Sequence, residues 1–207
     1  MPKILIIRFS SIGDIVLTTP VFRCIKKQVP GSEVHLVTKS SYRLVTEHNH
    51  YIDKFFYLQD NLASLVNDLK LEQYDYVVDL HNNLRSLRIR RALKKKSFVV
   101  SKLNVEKFLL TNLNINIMPA AHITTRSLAA VASLGVTDDG LGLDYFIPAK
   151  DVVPADDIPT SHAAGFIAVV IGATYETKKM PVSKLQELCR ETDHPIILLG
   201  GAEDRFN

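Results

Sequence analysis

Short apolar runs alternate with amphipathic segments along most of this chain. Residues 3–9 and 76–80 are continuously apolar and β-branched, which is typical of strands buried on both faces of a parallel sheet. Further strands are predicted at residues 33–38, 52–58, 98–100 and 145–147. Helices are predicted at residues 20–29, 40–48, 61–71, 84–93, 105–113 and 123–134, the first with Thr19 as its N-cap. This rhythm indicates βαβ units, so we predict a Rossmann-like α/β domain with a parallel sheet.

A change of composition divides the chain. Residues 148–164 contain three prolines and no periodicity, which is typical of a linker. The rhythm then resumes with strands at residues 166–171 and 195–199 and a helix at 182–192. The predicted division is a first domain at 1–150, a linker at 151–164 and the start of a second Rossmann-like domain at 165–207. Two strands and one helix cannot cover both faces of a sheet, so we expect this second domain to be incomplete.

The bulk composition excludes several classes of protein. Hydrophobic residues make up 46% and charged residues 23% of the chain, the mixture of an ordinary globular protein. The net charge of +3 is too small to argue for nucleic acid. Cys24 and Cys189 form no disulfide framework, and no cluster of residues has metal-binding spacing, so we predict neither metal nor cofactor. Because the chain has no signal peptide and no apolar run near the ~20 residues that span a bilayer, we expect a cytoplasmic protein.

The loop after the first strand contains the first candidate site, because ligands of open α/β sheets bind at the carboxyl ends of strands. Its sequence is Ser10-Ser11-Ile12-Gly13-Asp14. Gly13 permits a tight turn and a close backbone approach, and Asp14 offers a carboxylate at the mouth of the sheet. The residues alone leave two roles open for Asp14, since aspartate near a helix start is also a common cap.

The loop after residues 76–80 contains the second candidate site. His81 and Asn82 offer hydrogen bonds to hydroxyl groups, and Arg85 offers a bidentate contact to an acidic group. His81 also competes with Asp14 as a base, because imidazole titrates near neutral pH. The alternative is structural: an asparagine here caps the next helix, and Arg85 is solvated.

The loop at residues 172–181 leads into the helix of the second domain. A helix N-terminus with a lysine nearby is a site for anions. Thr174 and Lys178 are therefore candidates for contact with a phosphate. A solvated pair of lysines at 178 and 179 is the alternative.

Several segments resemble bacterial heptosyltransferases of glycosyltransferase family 9. ILIIRFSSIGDIVLTTPVFRCIKK is similar to the family's N-terminal signature of an apolar strand, Ser-Ser-x-Gly-Asp, and Thr-x-Pro at a helix start. The loop at 81–86 resembles a family segment that ends in Arg-Ser or Lys-Ser, and His122 to Arg126 resembles a basic helix start. The loop at 172–181 resembles a segment in which a lysine precedes Trp-Pro, but Met180 replaces the tryptophan here.

The resemblance implies a GT-B fold and inverting transfer of heptose, or a related sugar, from an ADP-sugar to a lipopolysaccharide core acceptor. It implies that Asp14 is the catalytic base, that Thr174 and Lys178 bind the donor diphosphate, and that no metal takes part. The residues assigned to the acceptor are Ser10, Ser11, Gly13, His81, Asn82, Arg85 and Arg126. Closure of the two domains should exclude water. Family members are longer, so we expect a truncated chain with little activity of its own.

Other functions remain compatible with the residues. An NAD-dependent dehydrogenase shares the βα rhythm, but the GxGxxG spacing and an acidic residue after the second strand are missing. A non-catalytic acceptor-binding module would need the first domain alone. The basic run at residues 85–96 indicates either a solvated helix or contact with anionic lipid or acceptor phosphates. The second interpretation places the protein at the inner face of the cytoplasmic membrane.

Overall fold

A parallel sheet organises the first part of the chain. The computed structural model describes residues 1–173 and 175–204, and the chain divides into two units, Met1–Pro148 and Ala149–Asn207. The strands of the first unit are β1 (Lys3–Ile7), β2 (Glu33–Lys39), β3 (Lys54–Leu58), β4 (Tyr76–Asp79) and β5 (Lys96–Val99). Their order is β3-β2-β1-β4-β5, and they pair in parallel. The order reverses between β1 and β4, so their carboxyl ends form the switch point at which such sheets bind ligands.

Helices connect these strands. They are α1 (Ile12–Val16), α2 (Thr19–Gln28), α3 (Arg43–Thr46), α4 (Leu62–Leu71), α5 (Leu84–Leu93), α6 (Asn104–Leu113) and α7 (Ile123–Val131). Asparagine caps explain two of the starts, because Asn61 accepts backbone N–H groups at the start of α4 and Asn83 accepts that of Ser86 in α5. The structural role considered for an asparagine after β4 therefore falls to Asn83.

Two hydrophobic layers pack on opposite faces of the sheet. Successive side chains of a strand point to opposite faces, so Ile4 and Ile6 of β1 join one layer and Leu5 and Ile7 the other. Helices α2 and α7 contribute to the first layer, and α4 and α5 to the second. These four side chains of β1 are fully buried. Double burial explains why residues 4–7 are all apolar.

Three local expectations are wrong. Residues 145–147 form no strand, because the segment before them lies across α2, where Arg23 pairs with Asp144 and Thr19 Oγ1 accepts the backbone N–H of Asp144 at 2.9 Å. The expected polar turn at residues 10–14 is already helical from Ile12. Thr19 is the first residue of α2 rather than its cap, which is Thr18.

The second unit contains β6 (Ile167–Val170), α8 (Val182–Glu191) and β7 (Ile196–Leu199). The two strands pair in parallel, within about a residue of the predicted bounds. Val170, Leu198 and Leu199 are exposed, as expected where two strands and one helix cannot cover both faces of a sheet. Three short 3-10 turns lie between residues 149 and 162, and the linker at 151–164 stays a prediction.

Candidate active site

A hollow opens at the carboxyl ends of β1, β4 and β5, beside the switch point of the sheet. Its volume is about 430 Å³. The residues that line it follow these strands or lie in and around α1, α6 and α7: Arg8, Asp14, Leu80, Val100, Ser101, Lys102, Asn104, Lys107, Ile123 and Arg126. Two of the predicted site residues, Asp14 and Arg126, therefore meet in one hollow.

Asp14 lies in α1 with its side chain 40% exposed. Its Oδ2 accepts hydrogen bonds from Ser11 Oγ at 3.0 Å and Ser11 N at 3.3 Å, and it pairs with Arg8 Nη2 at 2.6 Å. No hydrogen bond to Oδ1 occurs among the residues that the structure describes, so this oxygen is available to a ligand. One carboxylate oxygen thus supports the helix start while the other is open, and the two roles considered for Asp14 are compatible.

Arg8 is a site residue that sequence reasoning missed. Its side chain is only 10% exposed, and Nη1 donates a hydrogen bond to the carbonyl oxygen of Leu80 at 2.5 Å. Partial burial raises the pKa of Asp14, but the Arg8 charge and the Ser11 hydrogen bonds outweigh it, so the pKa lies below its usual range. Asp14 is therefore ionised at neutral pH. A charged residue inside the apolar run at residues 3–9 was the signal that could have revealed Arg8.

Asp79, the last residue of β4, shapes the loop that contains His81 and Asn82. Its fully buried side chain accepts the backbone N–H groups of His81 at 3.0 Å and Asn82 at 2.7 Å through Oδ1. Arg90 Nε lies 2.9 Å from Oδ2, but the angle is unsuitable for a hydrogen bond, so the contact is an ion pair. The buried carboxylate of Asp79 therefore holds the backbone of this loop in place.

His81 and Asn82 are held by this loop rather than by the hollow. The His81 ring packs edge-on against Phe9, with ring centres 5.2 Å apart. Asn82 Nδ2 donates a hydrogen bond to the carbonyl oxygen of Val100 at 3.0 Å. Neither side chain is among the described residues that line the hollow around Asp14. Their roles in acceptor binding stay predictions, as does the choice between Asp14 and His81 as the base.

The low pKa of His81 predicts a loss of stability in acid. Burial, followed by the charges of Arg8 and Lys102, lowers the pKa of His81 to about 4, whereas the unfolded chain binds a proton near pH 6.5. The unfolded state therefore holds more protons between these values, and the free energy of unfolding falls as the pH decreases from 6.5 to 4. We expect His81→Phe to remove about 2–3 kcal/mol of this pH dependence in urea denaturation. An unchanged difference between pH 7 and pH 4 would contradict it.

The remaining predicted acceptor residues lie in different places. Ser10 is half-buried in the turn between β1 and α1. Gly13 lies in α1, where an added Cβ would meet no atom of the described structure within 4 Å, and its contact with an acceptor stays a prediction. Arg126 lines the hollow, and its Nη1 donates a hydrogen bond to the carbonyl oxygen of Ser101 at 3.2 Å. Arg85 instead lines a second hollow of about 510 Å³ together with Lys39.

The basic run at residues 85–96 does not form one patch. Most of the run lies along α5, whose ten residues extend for about 15 Å. Arg85 is therefore near the carboxyl end of the sheet, whereas Lys94, Lys95 and Lys96 are near the amino end of β5. Arg90 is also paired with buried Asp79. The run cannot contact one small ligand as a unit.

The second unit contains the residues predicted to bind the donor diphosphate. Lys178 is exposed, with its Nζ 5.5 Å from the ring centre of Tyr175, and Thr174 lies outside the described residues. The glycine that opens the loop is required by packing, because a Cβ on Gly172 would collide with the buried carboxylate of Asp204. The same carboxylate accepts the backbone N–H of Gly201 at 2.8 Å. Asp204 thus joins the loops that follow β6 and β7.

A group of metal-ligand type occurs away from the hollow, at the amino end of the sheet. Ligand atoms of Glu33, His35 and Glu72 lie within 4.8 Å of one another. Lys3 Nζ lies 3.0 Å from Glu72 and 3.4 Å from Glu33, and Lys54 also pairs with Glu72. Ammonium groups therefore already balance both carboxylates. Glu33 and His35 both lie in β2, whereas Glu72 follows α4, which is why the sequence spacing gave no sign of the group.

The chain has the α/β fold of GT-B glycosyltransferases. A glycosyltransferase family 9 protein from Veillonella parvula superposes with a TM-score of 0.74 at 20% identity, covering 99% of this chain and 64% of that one. An Escherichia coli heptosyltransferase solved with ADP gives 0.68 at 19% identity, covering 97% and 67%. E. coli ADP-heptose lipopolysaccharide heptosyltransferase II gives 0.64 at 15% identity, covering 99% and 66%.

Sequence comparison adds a curated relative, although no family model matches the chain. Lipopolysaccharide heptosyltransferase 1 of Campylobacter coli is 24% identical over an alignment of 209 positions, which covers 91% of this chain and 60% of that protein. The chain thus spans three fifths of the length of this relative. Together with the fold, this similarity confirms the resemblance to glycosyltransferase family 9 that the sequence motifs indicate.

Proposed function

We propose that this chain supplies the acceptor site and the catalytic base of an inverting glycosyltransferase. The transferred sugar is heptose or a related sugar, the donor is an ADP-sugar, and the acceptor is a lipopolysaccharide core, as the names of the relatives suggest. The observation that carries the proposal is the ionised Asp14, which has one open carboxylate oxygen in a hollow whose other charged residues are cationic. The proposed setting is the cytoplasmic face of the membrane.

The charge of the hollow supports an anionic acceptor. Its charged lining consists of Arg8, Lys102, Lys107 and Arg126 against the single carboxylate of Asp14. Arg8 is paired with Asp14, so three cations remain in excess. Arginine and lysine bind phosphate and carboxylate groups through charge-assisted hydrogen bonds. A neutral sugar would not require this excess, whereas the phosphates and acidic sugars of a lipopolysaccharide core would.

Asp14 is the proposed base for the acceptor hydroxyl. In the proposed step, Oδ1 takes the hydroxyl proton while the hydroxyl oxygen forms a bond to the anomeric carbon of the donor sugar. The bond from that carbon to the diphosphate breaks, and the departing ADP keeps the electron pair. Attack on the face opposite the leaving group inverts the anomeric configuration. Arg8 holds the carboxylate in its ionised form, which is the form that can accept the proton.

Lys178 is the proposed contact for the donor diphosphate. It forms no ion pair with any residue in the described part of the chain, whereas neighbouring Lys179 pairs with Glu176 at 2.9 Å. Lys178 therefore keeps its charge for a ligand, as stabilisation of a departing diphosphate requires. Backbone N–H groups after Gly172, and Thr174, are proposed to assist. Because lysine supplies this charge, the proposed reaction needs no metal.

The function is tested in a full-length protein that contains this chain, incubated with ADP-heptose and a deacylated lipopolysaccharide core fragment, because the chain spans three fifths of the length of its curated relative. The expected products are ADP and a glycoside whose anomeric configuration, read by NMR, is opposite to that of the donor. Binding of the core fragment without transfer would favour the alternative of a non-catalytic acceptor-binding module. Failure to bind the fragment at all would exclude both.

Lys107→Gln is expected to raise the KM for a phosphorylated acceptor about tenfold, because one charge-assisted hydrogen bond is lost. The kcat should change little, since Lys107 is proposed to bind the acceptor without touching the reacting atoms. The effect should shrink as salt concentration rises. Lys70→Gln, an exposed lysine of α4 away from the hollow, is the matched control. Equal KM values for the two variants would argue against an acceptor contact at Lys107.

A further inference from the structure

Helix α6 exposes an unusual amount of apolar surface. None of its ten residues, all of which the structure describes, is buried. Val105 is 68% exposed and Phe108 58%, and Leu113, Ile115 and Ile117 are also exposed. We call these five residues the apolar patch. Contiguous exposed apolar side chains of this size usually mark a contact surface, unlike apolar residues scattered singly over a protein.

The apolar patch and the hollow share this helix. Val105, Phe108 and Leu113 follow the spacing i, i+3, i+8, which places them on one side of α6. Asn104 and Lys107 line the hollow that contains Asp14. The helix is therefore amphipathic: polar residues of α6 line the hollow, whereas its large apolar residues are exposed to solvent.

We propose that the apolar patch inserts shallowly into the surface of an anionic lipid bilayer. This inference rests on the proposed function, because it takes the hollow beside α6 to be the site of an acceptor that is attached to a membrane. Side chains such as Phe and Leu on one side of an amphipathic helix bind at the boundary between headgroups and acyl chains. Insertion would hold the cationic hollow at the level of the headgroups, where a lipid-linked acceptor presents its sugars.

Charge favours a bilayer as the occupant of this surface. Lys107 lies in α6 itself, and Lys102 and Arg126 line the same hollow as Lys107. Anionic headgroups attract cations at the surface of a bilayer. A second copy of the chain, docked through the same patch about a two-fold axis, would bring two cationic hollows together, and like charges would oppose the contact. No helix in the described part of the chain has the length and apolar character of a membrane span.

Vesicle co-sedimentation tests the proposal with the 207-residue chain. Vesicles in which about one lipid in three is phosphatidylglycerol and the rest is phosphatidylcholine are compared with pure phosphatidylcholine vesicles. We expect binding to the anionic vesicles that weakens with salt. The double variant Phe108→Gln/Leu113→Gln should bind at least about tenfold more weakly. Leu71→Gln is the matched control, because Leu71 is 81% exposed at the end of α4, away from the patch.

Each outcome decides the proposal. Equal binding by the double variant and the unsubstituted chain, or no binding to anionic vesicles, would overturn it. A dimer in sedimentation velocity that the double variant loses would assign the patch to a second copy instead, which also overturns it. The vesicles contain no sugar, and the double variant should bind the deacylated core fragment normally. A failure of membrane docking is therefore distinguishable from a failure of the proposed transfer.

Discussion

In a full-length protein that contains this chain, replacement of Asp14 by asparagine is expected to lower kcat for sugar transfer by about 10²–10⁴-fold, the contribution of a general base. The amide has the size of the carboxylate, and its oxygen can still accept the hydrogen bonds from Ser11. It cannot take up the proton of an acceptor hydroxyl. Initial rates measure the loss, and calorimetry with ADP should show unchanged donor affinity. Transfer by the variant at more than about a tenth of the normal rate would exclude Asp14 as the base.

His81→Asn is the control for this experiment, because His81 is the competing base. Its ring packs against Phe9 and is not among the described residues lining the hollow, so we expect less than a tenfold loss. A loss as large as that of Asp14→Asn would transfer the role to His81. Arg8→Gln gives an independent readout, because removal of its charge should raise the pKa of Asp14. The acid limb of the rate profile should then move to higher pH.

Replacement of Arg23 by methionine is expected to reduce the free energy of unfolding by about 3–5 kcal/mol. The Arg23 guanidinium is almost fully buried, donates to Asp139 from Nε at 2.8 Å and Nη2 at 2.7 Å, and also pairs with Asp144. These contacts lower the pKa of Asp139 well below its usual range and raise that of Arg23. Methionine would leave both carboxylates without their partner. Urea denaturation at pH 7 measures the change.

Arg43→Met provides a matched surface control. Arg43 is exposed and pairs with Glu47 one helical turn away, so the expected loss is much smaller than that of Arg23→Met. A second control, Arg23→Met combined with Asp139→Asn and Asp144→Asn, should recover part of the lost stability, because no charge is left uncompensated. Similar losses for Arg23→Met and Arg43→Met would mean that the buried ion pairs contribute no more than a surface pair.

The strands and helices of the first unit were largely predictable because local pattern and tertiary packing agree there. The apolar run at residues 3–9 is buried on both faces of the sheet, and α5 has the predicted bounds Leu84–Leu93. The strand expected at residues 145–147 has the right local composition, Tyr-Phe-Ile, but no ladder to join. Long-range contacts from Arg23 and Thr19 determine the path of the preceding segment, and sequence periodicity carries no information about them.

The site was predictable only in part. Asp14 could be identified from the resemblance, and the topology explains why it lies at the switch point. The distances across the sheet could not be foreseen. Arg85 lies in the first turn of α5, and Arg126 lies in α7. Both were assigned to one acceptor site, but they line different hollows. Arg8 was overlooked because its role depends on a turn that brings Asp14 back towards the end of β1.

The side chain of Arg8 makes two contacts, one with a residue after β1 and one with a residue after the neighbouring strand β4. Nη2 pairs with the carboxylate of Asp14, and Nη1 donates a hydrogen bond to the carbonyl oxygen of Leu80, which follows β4. A shorter or uncharged residue at this position would change the acidity of the carboxylate and loosen the opposite wall of the hollow together. Proton affinity and cavity shape therefore cannot be tuned separately by substitution at position 8.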